Sequence, residues 1–444
     1  MTGVPGPASD TIGSIGTRAA GLALAAAFGQ AFVVAREVFV AAEVGTSVDL
    51  DALLVALIAP TIAVSLLSSS TQAALVPALV ELRATHGRDV ALRLAGVLIA
   101  SVAGLGIAVA ALLAWLAAPV MAAGGPGLSD ASRLAAESYL PALLPMVAIA
   151  PVGVLLAAVC QAHGMYRAIS LSWVAGPAAA FIVTLAAWGQ AGVGALAIAA
   201  TVDAAATTGA LAALLAGARL LPLPGTGVPR DSVVRYLRHA VPLAAGSSVL
   251  QLNLLTDRAV ASILSAGAVS ALRYGERIIR TPLSVLAPAW STTVFPAVVA
   301  AATLGEHVDE STGSVGRTVT EAVRFVIAVF LPLALATAAL APIVVAFAFE
   351  RGAFDAVAAA TTAGVVVGFA PLIVVWLVQP ILTAAHNARR RGGLLARIAV
   401  LNAASNVALN LIFGLALGVA GVALSTSITG LLLVAILMRR LRDL

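Results

Sequence analysis

Residues 92–123 read LRLAGVLIASVAGLGIAVAALLAWLAAPVMAA and contain a single charged side chain, Arg93. The uncharged run then continues as far as residue 129. A helix needs about 20 mostly apolar residues to cross the hydrocarbon core of a bilayer. This stretch therefore predicts a membrane-spanning helix.

The composition of the whole chain agrees with that helix. Of 444 residues, 61% are hydrophobic and 10% are charged, whereas a soluble domain has about 25% charged residues. This excludes a soluble enzyme, a disulfide scaffold and a disordered protein. The single cysteine, Cys160, cannot form an internal disulfide. With five scattered histidines and no catalytic motif, the sequence predicts no enzyme, no metal and no cofactor.

The length criterion that identifies the first helix predicts twelve spans in all. Six prolines within them predict kinks: Pro60, Pro282, Pro332, Pro342, Pro371 and Pro380. The predicted fold class is an all-α polytopic membrane protein with twelve transmembrane helices. The spans lie near 19–42, 52–80, 92–123, 138–162, 167–189, 191–218, 236–264, 272–302, 320–348, 357–386, 394–416 and 418–438.

The arginines predict the orientation. All 25 basic residues are arginine. With the amino terminus inside, eighteen of them fall in inside segments and only Arg133 and Arg351 fall outside. Cytoplasmic loops carry an excess of positive charge, so both termini are expected in the cytoplasm. Because the arginines are spread between apolar runs, they predict contact with membrane lipids and no nucleic-acid partner.

An internal repeat predicts two halves. Residues 75–80 (LVPALV) resemble residues 294–299 (VFPAVV), 219 positions later. Repeats of six spans each run parallel, with a substrate cavity between them. We therefore expect two pseudo-symmetric six-helix bundles, residues 1–224 and 225–444, around a central cavity.

Five arginines lie within or at the edge of the spans, where an ionised side chain is costly. Arg273, Arg277 and Arg280 follow helical spacing and share one face. Glu276 is placed to neutralise one of its neighbours on that helix. A guanidinium group matches the geometry of phosphate, so a cavity lined by these groups predicts a phosphate-bearing anion. The five are Arg36, Arg258, Arg273, Arg277 and Arg280.

Structural interpretations of the same charges are open. Arginines near helix ends, here Arg258, Arg273 and Arg280, often reach to the lipid head groups. The adjacent Arg36 and Glu37 could form an internal ion pair. Asp51, at the start of span two, could cap that helix.

Several stretches carry a family resemblance. Residues 257–262 (DRAVAS) and 267–277 (GAVSALRYGER) form the most specific block, followed by 293–296 (TVFP) and 350–354 (ERGAF). They resemble the signature of the MurJ/MviN lipid II flippase family, which belongs to the MOP (multidrug/oligosaccharidyl-lipid/polysaccharide) exporter superfamily. The resemblance extends over nearly the whole chain.

The resemblance implies a function and a site. The function is to move an undecaprenyl-diphosphate-linked cell-wall precursor, lipid II, from the inner to the outer leaflet of the bacterial cytoplasmic membrane by alternating access. Arg36 and Arg277 match cavity arginines of the family, and Asp51 and Glu276 match its acidic positions. Cell-wall synthesis proteins are further candidate partners.

The chain also departs from the family pattern. Gln30 and Ile58 stand where the family commonly has cavity arginines. We hypothesise that Arg273 and Arg280 supply the missing charge from another wall. The candidate substrate-binding residues are Arg36, Asp51, Arg273, Glu276, Arg277 and Arg280.

Three other functions are compatible with the sequence. One is an exporter of another lipid-linked oligosaccharide, and a second is a MATE-like drug exporter. The third is a non-transporting scaffold in a cell-wall complex. A cationic-drug exporter is expected to have more acidic than basic residues in its cavity, which is the reverse of the pattern here.

Overall fold

A computed structural model describes residues 12–284, 314–388 and 391–441, which form helices and no strands. The second part of predicted span eight, the TVFP motif and the second copy of the repeat lie outside these residues. The helices are α1 (Ile12–Val44), α2 (Val48–Ala56), α3 (Ile58–His86), α4 (Arg88–Trp115), α5 (Ala117–Gly124), α6 (Asp130–Ala162), α7 (Tyr166–Ala191), α8 (Gly194–Gly217), α9 (Arg230–Leu264), α10 (268–284), α11 (Ser314–Phe349), α12 (Ala356–Phe369), α13 (Leu372–Ala388), α14 (Gly392–Leu417) and α15 (Val419–Leu441).

Prolines explain why three predicted spans are each built from two helices. A proline ring clashes with the carbonyl four residues earlier and removes one helical hydrogen bond. Pro60 and Pro119 lie four residues after the last residues of α2 and α4. Pro371 lies at the break between α12 and α13. The pairs α2–α3 and α12–α13 each contribute to one apolar segment long enough to cross a bilayer, whereas α4 is long enough by itself. A helix lies on each of the twelve predicted spans.

Length and hydropathy support a multi-pass membrane protein. Ten segments of the described residues are long and apolar enough to cross a bilayer. Large apolar side chains also face outward, and Trp115 and Phe347 are both 80% exposed. In water such a surface would associate, whereas in lipid it is the expected covering. The prediction of an all-α polytopic membrane fold is confirmed.

Helix packing follows the two predicted halves. In the first half α6 packs on α3, α4 and α8, and α7 packs on α1 and α8. In the second half α15 packs on α12, α13 and α14, and α11 packs on α12 and α13. The halves meet mainly along α3 and α9. The boundary at residue 224 stays a prediction.

The segment between the halves is fastened to the first one. Arg93 on α4 donates a hydrogen bond to the Thr226 carbonyl at 3.0 Å. Arg88 donates to the carbonyl of Arg219. The backbone of Leu223 also passes close to Gly96, so a side chain at position 96 would collide with that backbone. This segment therefore belongs physically to the surface of α4.

Four connections meet at one end of the bundle, which we call the closed end: residues 45–47, 125–129, 265–267 and 350–355. Gly45, Gly267 and Gly352 have positive φ angles there, a conformation that L side chains rarely adopt. A Cβ on Gly45 or Gly352 would also lie within 2.3 Å of a backbone oxygen of the opposite half. The backbone N–H of Ala353 donates to the Ala42 carbonyl at 2.8 Å. These close backbone contacts join the two halves.

Candidate functional site

Glu37 joins the two halves at the centre of the candidate site. It lies on α1, is 2% exposed, and accepts a hydrogen bond from Arg273 of α10 at 2.6 Å. The same oxygen, Oε1, lies 3.5 Å from the guanidinium group of Arg277. A buried carboxylate is stable only when it is paired, so the two arginines of α10 hold Glu37 ionised between the halves.

Arg36 lies beside this bridge. The charged groups near it are Glu37, Arg273 and Arg277, together with Asp203 on α8. Its Nε atom is buried and has no hydrogen-bond partner among the described residues. A pair with Glu37 leaves hydrogen-bond donors of Arg36 unused, because the carboxylate of Glu37 is already bonded to α10.

Arg280 is held by two contacts. It donates a hydrogen bond to Glu276, one helical turn earlier. Its guanidinium carbon also lies 4.3 Å from the centroid of the Trp376 ring on α13, a cation–π contact. Glu276 thus neutralises Arg280 rather than Arg273, and Arg277 carries the weakest pairing of the three arginines on that face.

Three adjoining cavities surround these side chains. The largest, about 690 Å³, is called the central cavity and is lined by Gln30, Arg277, Arg280 and one face of α13. A side pocket of about 360 Å³ shares Gln30 with it and reaches Asp203. An arginine pocket of about 280 Å³ shares Arg277 and Arg280 with it and also contains Arg258, Arg273 and Glu276. Arg273, Glu276, Arg277 and Arg280 thus line adjoining cavities, whereas Arg36 and Asp51 line none of the three.

Asp51 lies elsewhere, at the closed end. It is 3% exposed and accepts hydrogen bonds from the backbone N–H groups of Gly267 and Ser270, each at 2.7 Å. These groups open α10, and an anion at a helix N-terminus is favoured by the helix dipole. The side chain of Ser47, not Asp51, caps α2. Asp51 therefore caps a helix of the opposite half, and we treat it as a positioning residue.

A second buried polar cluster fastens the second half. Asp257 of α9 accepts hydrogen bonds from Asn410 of α14 at 2.6 Å and from Thr426 of α15 at 3.0 Å. Asn410 also donates to Asn406 at 3.0 Å. Hydrogen-bonded polar groups hold helices together in lipid. Asn406 and Asn410 of α14 thus serve helix packing.

Sequence reasoning missed Asp203, Trp376 and Gln379. Asp203 left a usable signal, because it is an ionisable residue inside an apolar span, where such residues are rare. The two α13 residues left none, since their role depends on which face α13 turns toward α10. Ile58, at one position where the family commonly has arginine, is fully buried in the core, whereas Gln30 lines the cavity.

The fold and the site together define a class. A helical multi-pass bundle of two halves, closed at one end around a cationic cavity, is the architecture of a MOP-superfamily transporter. The chain belongs to the lipid II flippase MurJ family, whose sequence model matches residues 40–443. Arg36 and Glu37 lie just before the matched region.

Individual relatives agree with this membership. The chain is 28% identical over 224 residues to the probable lipid II flippase MurJ of Vibrio cholerae, covering 50% of this chain and 42% of that protein. A solved structure of lipid II flippase MurJ in an inward closed conformation matches with a TM-score of 0.78 at 18% identity, covering 95% and 87% of the two chains. An inward-facing multidrug resistance MATE family transporter matches with a TM-score of 0.74 at 14% identity, covering 94% of each. The sequence match spans less than half the length of the curated relative, and the structural matches show the fold alone.

Proposed function

We propose that the chain flips a polyprenyl-diphosphate-linked glycan across the bacterial cytoplasmic membrane by alternating access. Lipid II is the leading candidate substrate, moving from the inner to the outer leaflet. The protein acts as a transporter and not as an enzyme, and its partners are the lipid-linked glycan and the surrounding lipids. Both termini lie in the cytoplasm, and the closed end faces outward.

The charge of the site carries this proposal. The linings of the three cavities supply four arginines, Arg258, Arg273, Arg277 and Arg280, against the two carboxylates of Asp203 and Glu276. Arg36 and Glu37 lie outside these linings and cancel each other, and Asp257 lines none of the three cavities. The remaining two positive charges match the two negative charges of a diphosphate diester. A cationic drug would meet repulsion in the same space.

Closure at one end supports the transport cycle. The backbone contacts at the closed end seal the bundle there, while the central cavity reaches Thr383 and Asn387 near the other end of α13. A carrier that alternates between two such states exposes its site to one side at a time. In this state the arginines are accessible from the side opposite the closed end.

The proposal predicts that Arg277→Ala loses transport. Arg277 lines both the central cavity and the arginine pocket and is weakly paired, so it is free to bind an incoming phosphate. A hydrogen bond to a charged group contributes about 1.5–3 kcal/mol, which corresponds to about a 10- to 100-fold loss. The measurement is the rate at which labelled lipid II becomes accessible at the outer face of reconstituted vesicles.

Arg324→Ala is the matched control, because Arg324 is an exposed arginine on α11. It is expected to leave the rate unchanged. Equal rates in wild type, Arg277→Ala and protein-free vesicles would reject the flippase and favour the scaffold.

A further inference from the structure

The face of α13 that lines the central cavity differs in chemistry from the arginine wall. Trp376, Gln379, Thr383 and Asn387 all line the cavity. Their spacing of three or four residues places them on one face of the helix. With a rise of 1.5 Å per residue, this face extends for about 16 Å. It is a long neutral strip opposite a cationic wall.

The polar side chains of this strip lack hydrogen-bond partners among the described residues. In the part of the chain that the structure describes, no hydrogen bond engages the side chains of Gln379, Thr383 or Asn387. Amide and hydroxyl groups donate and accept hydrogen bonds without charge. Such groups suit a ligand rich in hydroxyls and amides better than a second phosphate.

Trp376 adds an aromatic platform. One face of its ring is covered by the Arg280 guanidinium group at 4.3 Å. Aromatic rings in binding sites offer a flat apolar face together with a polar edge. The C–H face of a pyranose ring packs on such a surface, while its hydroxyls remain free to reach neighbouring amides.

We propose that α13 forms a glycan subsite, with Trp376 stacking against a sugar and Gln379, Thr383 and Asn387 binding hydroxyl and N-acetyl groups. This inference rests on the proposed function, because the diphosphate at Arg277 and Arg280 directs the attached glycan toward α13. Arg280 links the two parts of the site, since it contacts both Glu276 and Trp376. The sugar stacks on the Trp376 ring when binding of the diphosphate moves the Arg280 guanidinium group off that ring.

The test compares two probes bound to the full chain in lipid nanodiscs. One is a short-chain prenyl diphosphate, and the other is the same molecule carrying an N-acetylated disaccharide. The readout is the ratio of the two Kd values, which cancels effects on the shared diphosphate. In wild type the disaccharide is expected to improve binding by about tenfold, the scale of one aromatic contact with a few neutral hydrogen bonds.

Trp376→Ala is expected to bring the ratio close to one, and Trp376→Phe to retain part of the gain. Gln379→Leu tests the strip without removing the ring, and we expect the ratio to fall by about threefold through one lost hydrogen bond. Trp115→Ala is the matched control, because Trp115 is 80% exposed on α4, away from the cavity. Its ratio should equal that of wild type.

Two failures are distinguishable. If both probes bind and the ratio stays at the wild-type value in Trp376→Ala and Gln379→Leu, the glycan subsite is rejected while the proposed function stands. If wild type binds neither probe, the proposed function is rejected together with this inference.

Discussion

Glu37→Ala is expected to destabilise the protein by about 3–5 kcal/mol, the usual cost of removing one partner of a buried ion pair. Arg273, which is partly buried, would then lack the carboxylate that it contacts at 2.6 Å, and the other arginines around Glu37 would lose their counter-charge. The measurement is the free energy of unfolding of the purified protein in detergent.

Glu43→Ala provides the control for this prediction. Glu43 lies on the same helix, is exposed, and accepts a hydrogen bond from Trp188 at 3.1 Å, so its removal should cost less than about 1 kcal/mol. The double change Glu37→Ala with Arg273→Leu should recover part of the loss, because it removes both charges of the pair. A Glu37→Ala protein as stable as wild type would show that the bridge between the halves does not form.

Asp51→Ala is expected to open the closed end. The change removes two hydrogen bonds to the start of α10, each worth about 1.5–3 kcal/mol because the acceptor is charged. A net shift of about 3 kcal/mol changes a conformational equilibrium by about a hundredfold. Asp51→Asn should have an intermediate effect, since an amide has only one acceptor oxygen.

Cysteine labelling measures this opening. The only native cysteine, Cys160, is fully buried, so background labelling will be low. Ala268, beside the Asp51 contacts, is 1% exposed. In an Ala268→Cys background, Asp51→Ala should raise the rate of maleimide labelling by at least about tenfold. Asp49→Ala, an exposed change on the same helix, should not raise it, and equal rates in all three proteins would refute the gating role.

The sequence predicted the elements that depend on composition and local spacing. Hydrophobic runs predicted the spans, and Pro60 and Pro371 marked breaks within two of them. The other predicted kinks did not end a helix, since α11 continues through Pro332 and Pro342 and α13 continues through Pro380. The spacing of Arg273, Arg277 and Arg280 predicted a shared face, because such spacing depends on one helix alone. Family resemblance added the expectation that Arg36 and Arg277 belong to one cavity.

Contacts between distant helices could not be predicted in this way. Arg36 and Glu37 were candidates for a pair, yet Glu37 is bonded across the halves to Arg273. Asp51 was a candidate cap for its own helix. In the structure it caps α10 instead, through Gly267, which lies 216 residues later in the sequence. Each outcome depends on how the two bundles face each other, which short-range patterns do not encode.

Under the proposed transport function, Glu37 also bears on how the unloaded protein resets. With this resident counter-anion in place, the empty protein can rearrange without presenting bare cations to hydrocarbon. An arriving phosphate then competes with the Glu37 carboxylate for the arginines. The net affinity for the phosphate is therefore the difference between the binding free energies of the two anions. If the protein carries a diphosphate as proposed, such an exchange would keep the cargo from being trapped and would speed its departure on the far side.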